Sequence, residues 1–444
     1  MHLLEVANQK ILLDCGLSFG NHPDVQRRNK QFPFAPDAID AVVLSHAHVD
    51  HCGNLPNLVR QGFTGPIYCT PATRDLTAVM LADSAKIQEE DAFTASLLAE
   101  GGTPPRPLYT HHDADLAISQ CVAVPYGKNQ PLNGDVQLRF ADAGHVLGSA
   151  MVVLTMNGAS GEHTLAFTGD LGRRGLPFLH EPMPVPEADL LICESTYGGR
   201  THKPLAELAE VLADVVTRTV ERGGKVLVPA FSLGRAQIVV YYLQQWMDEG
   251  RLPRVPIYVD SPLACDIAEV YRRHTDCLSD PTLRWLGDEE NGGVNYVRSI
   301  EESRQLSTRR EPSVIVASGG MCEAGRVLHH LQHLIDDPRC SIVLVSYQSP
   351  QSLGQRLRER GPTVRFVGKK WNKWAEVVDL NGFSGHADHN DFLSLLGPSA
   401  GRTKKVSLVH GDPARAEQLA TALRACGFGE VGIPGLGETV SLAS

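Results

Sequence analysis

Apolar and polar positions along the first two hundred residues alternate over short stretches. Leu3–Val6 and Lys10–Leu13 read as two strands closing at Asp14-Cys15-Gly16. A loop with Pro23, Pro33 and Pro36 follows, then an apolar β-branched run, Ala41-Val42-Val43-Leu44. Asn54–Gln61 reads as a short helix, Pro66–Cys69 as a strand and Thr73–Glu100 as a long helix ended by Gly101–Pro107. Strands are predicted at Val136–Phe140, Met151–Thr155 and Thr164–Phe167. From Lys203 the rhythm changes to strand and amphipathic helix in turn. Helices are predicted at Leu205–Arg222, Arg235–Trp246, Pro262–His274 and Cys322–Ile335. The strands between them are Lys225–Val228, Ile257–Val259, Ser313–Ala317 and Ser341–Ser346. Such alternation implies a parallel α/β sheet. The segment Pro281–Asn295 has turn-like composition and reads as a mobile excursion.

At 444 residues the chain exceeds one ordinary core, so more than one domain is expected. A hydrophobic content of 42% and a charged content of 21% belong to a globular protein. No apolar run reaches the length of a membrane span, and the start, Met1-His2-Leu3-Leu4-Glu5, has no signal-peptide pattern. The ten cysteines form no Cys-x-x-Cys pair, and Cys69 and Cys193 sit in apolar runs. Reduced, mostly buried thiols and a cytoplasmic location follow as expectations. The net charge of −10 argues against a protein that passively coats nucleic acid. An enzyme acting on nucleic acid stays open, because bound cations offset charge locally and basic clusters exist: Arg356, Arg358 and Arg360, then Lys369, Lys370 and Lys373.

The run Ala41–Leu44 leads into His46-Ala47-His48-Val49-Asp50-His51. Three imidazoles and a carboxylate at the end of a strand suit a divalent metal such as zinc. Positions i and i+2 project from one side of an extended segment, and the turn carries Asp50 and His51 to a second point nearby. One motif is thus able to serve two metals. Four more candidates follow apolar runs: His145 in Ala143-Gly144-His145, Asp170 in Thr168-Gly169-Asp170, His386 in Ser384-Gly385-His386-Ala387-Asp388, and His410 in His410-Gly411-Asp412. Each alone is equally well explained as a turn residue; their order is what is specific. If His386 and His410 complete a site begun at His46, the α/β block between them is an insertion.

In that order the sequence resembles the metallo-β-lactamase superfamily, and within it the β-CASP nucleases, over essentially the whole chain. The strand-end aspartate is matched by Asp14, the His-x-His-x-Asp-His motif by His46, His48, Asp50 and His51, and the next two motifs by His145 and Asp170. The β-CASP positions are matched by Glu194 in Ile192-Cys193-Glu194-Ser195, by His386 and by His410. The stretches Pro229–Arg235, Val259–Pro262 and Ala317–Met321 also look like this group.

The resemblance implies an α/β fold, a metallo-β-lactamase αββα sandwich (1–202 and 373–444) holding an inserted parallel α/β β-CASP domain (203–372). It implies two zinc ions: one on His46, His48 and His145, the other on Asp50, His51 and His410, with Asp170 bridging. Paired cations roughly 3.5–4 Å apart suit in-line displacement at phosphorus. His386 is the implied general acid for the leaving 3′-oxygen, Glu194 the carboxylate that holds it, and Asp14 a residue that orients ligands. Phosphate contacts are expected at Arg235 and at Ser318-Gly319-Gly320, where a strand end opening into a helix would present amides to an anion. The implied activity is zinc-dependent hydrolysis of single-stranded RNA leaving a 5′-phosphate, with histidine at 410 favouring RNA over DNA. A hydrolase of another ester or of DNA, and a non-catalytic RNA-binding scaffold, are the alternatives; the inserted domain argues against the first and the intact ligand set against the second. The sequence is silent on oligomeric state, although the group allows a homodimer.

Two departures from the family stand out. Relatives begin with a strand before the stretch matched by His2–Val6, so a sheet edge is expected to be exposed, and no extension is long enough for an added RNA-binding domain. The stretch Gln348–Gln355 differs from the usual Gly-Thr and Gly-Arg, which puts a phosphate contact at Gln355 in doubt. The pair His329 and His333 reads as a solvated helix face, and His389 makes His386-Ala387-Asp388-His389 look like a ligand motif of which the family uses only the first histidine.

Overall fold

The computed structural model describes residues 1–6, 8–20, 22–98, 106–132, 134–158, 161–279 and 293–442. The excursion expected at 281–295 lies mostly outside them. The chain divides into two compact units: Met1–Arg174 with His180–Thr201 and His386–Ser444, and Gly175–Leu179 with His202–Gly385.

The first unit is an αββα sandwich. One sheet has five strands, His2–Val6, Gln9–Leu13, Ala41–Val43, Ile67–Cys69 and Cys121–Ala123, antiparallel at the first pair and parallel thereafter. The other has seven, in the order Glu430–Gly432, Lys405–Val409, Leu190–Glu194, Gly161–Phe167, Ala150–Gly158, Val136–Asp142 and Gln130–Pro131. Alternation along each strand builds the layers. Ile11 and Leu13 point into the space between the sheets with Val43, Phe140, Val152, Leu154 and Phe167. Leu12, Val42 and Leu44 point outward against Leu55, Leu58, Leu81 and Tyr109, from the helices Leu55–Arg60 and Pro71–Leu98 and the turn beyond. On the far side the helices His389–Leu396 and Pro413–Ala425 cover Leu191, Cys193, Val406 and Leu408.

The second unit is a six-stranded, all-parallel sheet in the order Val294–Val297, Ile257–Asp260, Ser313–Ser318, Lys225–Ala230, Ser341–Leu344 and Glu376–Asp379. Its four central strands are buried on both faces and read as continuous apolar runs. A separate antiparallel hairpin pairs Thr363–Phe366 with Lys369–Asn372. Buried Asp260 ends its strand by accepting from Ser303 Oγ at 2.5 Å, from His330 Nε2 at 2.6 Å and from the Arg326 guanidinium.

Contacts group the residues up to Gly385 with the inserted unit, where Glu376–Asp379 pairs in parallel with Ser341–Leu344. Two expectations change. The proline-bearing loop after Gly16 holds a helix, Pro23–Lys30, with proline at its first turn and His22 capping it; none of its residues is buried, so it carries no apolar stripe to read. The helix expected from Cys322 begins only at Arg326, since Gly319, Cys322 and Gly325 all take positive φ. Ser318-Gly319-Gly320 therefore ends a strand without opening a helix. All ten cysteines are free. Among the described residues no helix is long and apolar enough to cross a membrane.

Candidate metal centre

All ten residues marked as ligands, acid, holder or orienter fall in the first unit. The strand Ala41–Val43 delivers Ser45 and His46, and His48 caps a one-turn helix, Val49–Cys52, that carries Asp50 and His51. That helix lies against the turn after Gln9–Leu13 so closely that a Cβ on Gly16 would stand 1.6 Å from the Asp50 carbonyl oxygen. Asp14, in the left-handed region at φ 57°, ends that strand and faces the same pocket. His410, also left-handed at φ 50°, follows Lys405–Val409, and the parallel register of that strand sets Val409 beside Glu194.

The potential metal-binding atoms form two main groups, and Asp170, Glu194 and His410 make a third trio that overlaps them. His46 Nε2 and His145 Nε2 lie 3.0 and 3.2 Å from His48 Nδ1, and both face Asp170 Oδ2, at 3.4 and 3.7 Å. Asp50, His51 and His410 make the second group, with His51 Nε2 and His410 Nδ1 at 3.3 and 3.4 Å from Asp170 Oδ1. Asp170 thus turns one oxygen to each group. A tetrahedral zinc with bonds of roughly 2.0–2.1 Å spaces its ligand atoms about 3.3–3.4 Å apart, and the separations here, 3.0–4.0 Å, bracket that value. His51 Nε2 and Asp170 Oδ1 are buried with no hydrogen-bond partner, a costly state unless a cation takes them up. The residues fit a metal.

Protonation supports the same division. Burial, then neighbouring His46, pushes His48 down to about 3. Burial also lowers His46 and His145, so the first group offers neutral imidazoles. In the second group burial opposes charge on His51, but Asp170 and Asp14 outweigh it, and Asp170 chiefly lifts His410 to about 9. Those protons belong to the metal-free pocket, and a bound cation would displace them. Burial alone would raise Asp170, yet His51, His410, His386 and His46 keep it well below the carboxylate range.

A second layer of polar groups fixes the rings. Asp14 Oδ2 accepts from His51 Nδ1 at 2.6 Å and from Ser45 Oγ at 2.7 Å, and Asp14 Oδ1 accepts the Ser45 amide at 2.7 Å. Ser45 Oγ is 3.0 Å from His46 Nδ1. With their Nδ1 positions so engaged, His51 and His46 turn Nε2 lone pairs into the pocket. The Ser149 hydroxyl accepts the amides of His145 and Val146, and Thr196 Oγ1 donates to the His410 carbonyl. Ser45, Ser149 and Thr196 carry no role in the sequence reading; their only signal is that they lie close in sequence to His46, His145 and Glu194.

His386 is held from two sides. Its backbone bridges to Gly172, and the Ala387 amide donates to the Leu171 carbonyl at 2.7 Å. Its Nδ1 is 3.2 Å from Glu194 Oε1 and 3.9 Å from Asp170 Oδ2, and its ring lies 4.4 Å from that of His145. Fully buried Glu194 also accepts the amides of Leu171 and Thr196. Burial disfavours the imidazolium of His386, but Glu194 and Asp170 prevail and raise its pKa.

Residues 9–220 match the beta-lactamase superfamily domain, 236–357 the Beta-Casp domain and 374–434 the Zn-dependent metallo-hydrolase RNA specificity domain. Over 444 residues the chain is 37% identical to Ribonuclease TTHA0252 of Thermus thermophilus, covering 99% of this chain and 96% of that protein. The chain belongs to the β-CASP family of metallo-β-lactamase-fold proteins. It is also 31% identical to the transcription termination factor FttA of Pyrococcus horikoshii and 30% to that of Methanocaldococcus jannaschii, spanning 65% and 66% of their lengths.

The four residues expected to touch phosphate lie in the β-CASP unit, at the C-terminal edge of its sheet. Arg235 Nη1 donates to the Val345 carbonyl at 3.0 Å. A Cβ on Gly320 would meet Ser346 Oγ at 2.8 Å and the Phe231 ring. Gln348 Nε2 ties the Gly320 carbonyl to that of Ser346. Ser318 and Gly319 continue the same loop. His389, at the start of its helix, accepts the Gly199 amide through Nδ1.

Proposed function

We propose that this β-CASP protein is a zinc-dependent ribonuclease that hydrolyses single-stranded RNA and leaves a 5′-phosphate. The observation that carries the reading is the convergence of seven side chains on two groups that share Asp170. A metal-dependent RNA hydrolase is the class to which the similar ribonuclease and the RNA specificity domain match point. His46, His48 and His145 would hold one ion, Asp50, His51 and His410 the other, and Asp170 both. Such a pair, when bound, would polarise the phosphodiester and lower the pKa of bound water. Asp14 and Ser45 keep two of the ligand rings turned the right way. His386 keeps its Nδ1 proton toward Glu194 and presents Nε2 to the leaving 3′-oxygen, to which it gives a proton. Arg235 and the Ser318–Gly320 loop are assigned to phosphates of the strand. The protein is assigned to the cytoplasm.

Metal analysis joined to cleavage of one end-labelled RNA tests the reading. The expected result is about two zinc per chain, 5′-phosphate products, loss of cutting on chelation and its return with zinc. Asp50→Ala should abolish cleavage and lower zinc content. Unchanged cutting by that variant, or cutting of DNA with RNA left intact, would overturn it.

A further inference from the structure

The hairpin Thr363–Phe366 and Lys369–Asn372 is a two-stranded sheet of its own. Val364 and Phe366 are buried in the β-CASP core, and Trp371 packs on Phe366 with ring centroids 5.4 Å apart. The opposite face is exposed, and on it Arg365 stands directly across from Lys370. Like charges in facing positions of an antiparallel pair are destabilising. Among the described residues no carboxylate forms an ion pair with either of them, or with Arg356 or Lys369. Arg356 joins the same strand by donating from Nη1 to the Arg365 carbonyl at 2.7 Å. Lys369 Nζ sits 4.2 Å over the Trp371 ring. Next to this face Trp374 is 60% exposed. Residues 354–374 hold seven basic side chains and one acidic, in a chain of net charge −10.

We propose that this hairpin face, which holds none of the candidate metal-binding side chains, is a docking surface for single-stranded RNA. The assignment rests on the ribonuclease reading for its choice of ligand. Lysine and arginine without acidic partners are matched by phosphates, and an exposed indole offers a platform on which any base stacks. A chain of net negative charge repels a polyanion overall, so capture needs a local positive face. A facing like-charged pair carries a standing penalty that a phosphate between the two cations relieves.

The full chain, with metal chelated to prevent cutting, is titrated with a long single-stranded RNA over a range of salt. The variants are Arg365→Gln with Lys370→Gln, Trp374→Ala, and Lys370→Glu. Each should bind the long RNA about tenfold more weakly, while cleavage of a short oligonucleotide with metal restored stays unchanged. Loss of two phosphate contacts should flatten the dependence of log Kd on log salt by about 1.4. Lys370→Glu also turns the facing pair into opposite charges, so it should raise the melting midpoint while lowering RNA affinity. A folding defect cannot produce that combination. Wild-type affinity and salt slope in all variants would overturn the docking surface and leave the ribonuclease reading standing. Weaker RNA binding by the variants, with no RNA cleavage by the metal-loaded wild type, would overturn the ribonuclease reading and keep the docking surface. Tighter binding to phosphatidylserine vesicles than to RNA would assign the face to membranes and overturn the proposal.

Discussion

Glu194 Oε1 lies 3.2 Å from His386 Nδ1 while also accepting the Leu171 amide at 2.7 Å, so one buried oxygen fixes both the ring and the chain that follows Asp170. Removing its charge should leave the metal pocket in place and spoil the proton donor. For Glu194→Gln we expect kcat to fall roughly 10²-fold, and for His386→Ala by roughly 10²–10⁴. Zinc content should be unchanged in both. Metal analysis beside steady-state cleavage checks this; a loss of zinc equal to the loss of rate would place Glu194 among the ligands instead.

Asp14 touches no atom of the metal-binding groups' open side, yet it holds His51 Nδ1 at 2.6 Å. Asp14→Asn should weaken zinc binding about 10–100-fold through the misoriented ring. Competition with a chromophoric chelator measures the affinity, and excess zinc should restore most of the activity.

Asp260 stabilises the β-CASP unit through His330, Ser303 and Arg326. Asp260→Asn should destabilise that unit by roughly 3–5 kcal/mol, because the partly buried Arg326 guanidinium loses its carboxylate partner. Burial pushes the carboxyl up, but those three hydrogen bonds outweigh it and set the folded pKa below the ordinary aspartate value. The folded state thus binds the proton less well than the unfolded one. The contribution is complete above about pH 4 and is lost as pH falls through the lower folded value. Urea midpoints at pH 5 and pH 3 should differ less in Asp260→Asn than in the wild type.

Val367 takes φ 47° at the tip of the hairpin, followed by Gly368 at φ 70°. Two left-handed residues in a two-residue turn favour Asn-Gly, and a β-branched side chain there is strained. Val367→Asn should stabilise the protein by about 1 kcal/mol. A midpoint shift in thermal or urea unfolding reads it.

The fold was legible wherever alternation met a fixed period. Ile11, Leu12 and Leu13 divide between the two faces of their strand as period two demands, and Val226–Val228 read as a strand covered on both sides. The metal-binding residues were legible because histidine and aspartate at strand ends are uncommon and their order is informative. Ser45 and Thr196 were not, since serine and threonine beside a turn are ordinary capping residues until a partner from elsewhere is known. Thr196 and His410 lie 214 positions apart. A parallel pairing such as that of Glu376–Asp379 with Ser341–Leu344 leaves no local mark in the sequence.

The bridge from Gly172 to His386 brings a late part of the chain back onto an early one. During synthesis, the side chains of the first metal group are all available once Asp170 has emerged. The second group waits for His410, and the proton donor waits for His386. The nascent chain therefore carries His46, His48, His145 and Asp170 long before it carries His386 and His410.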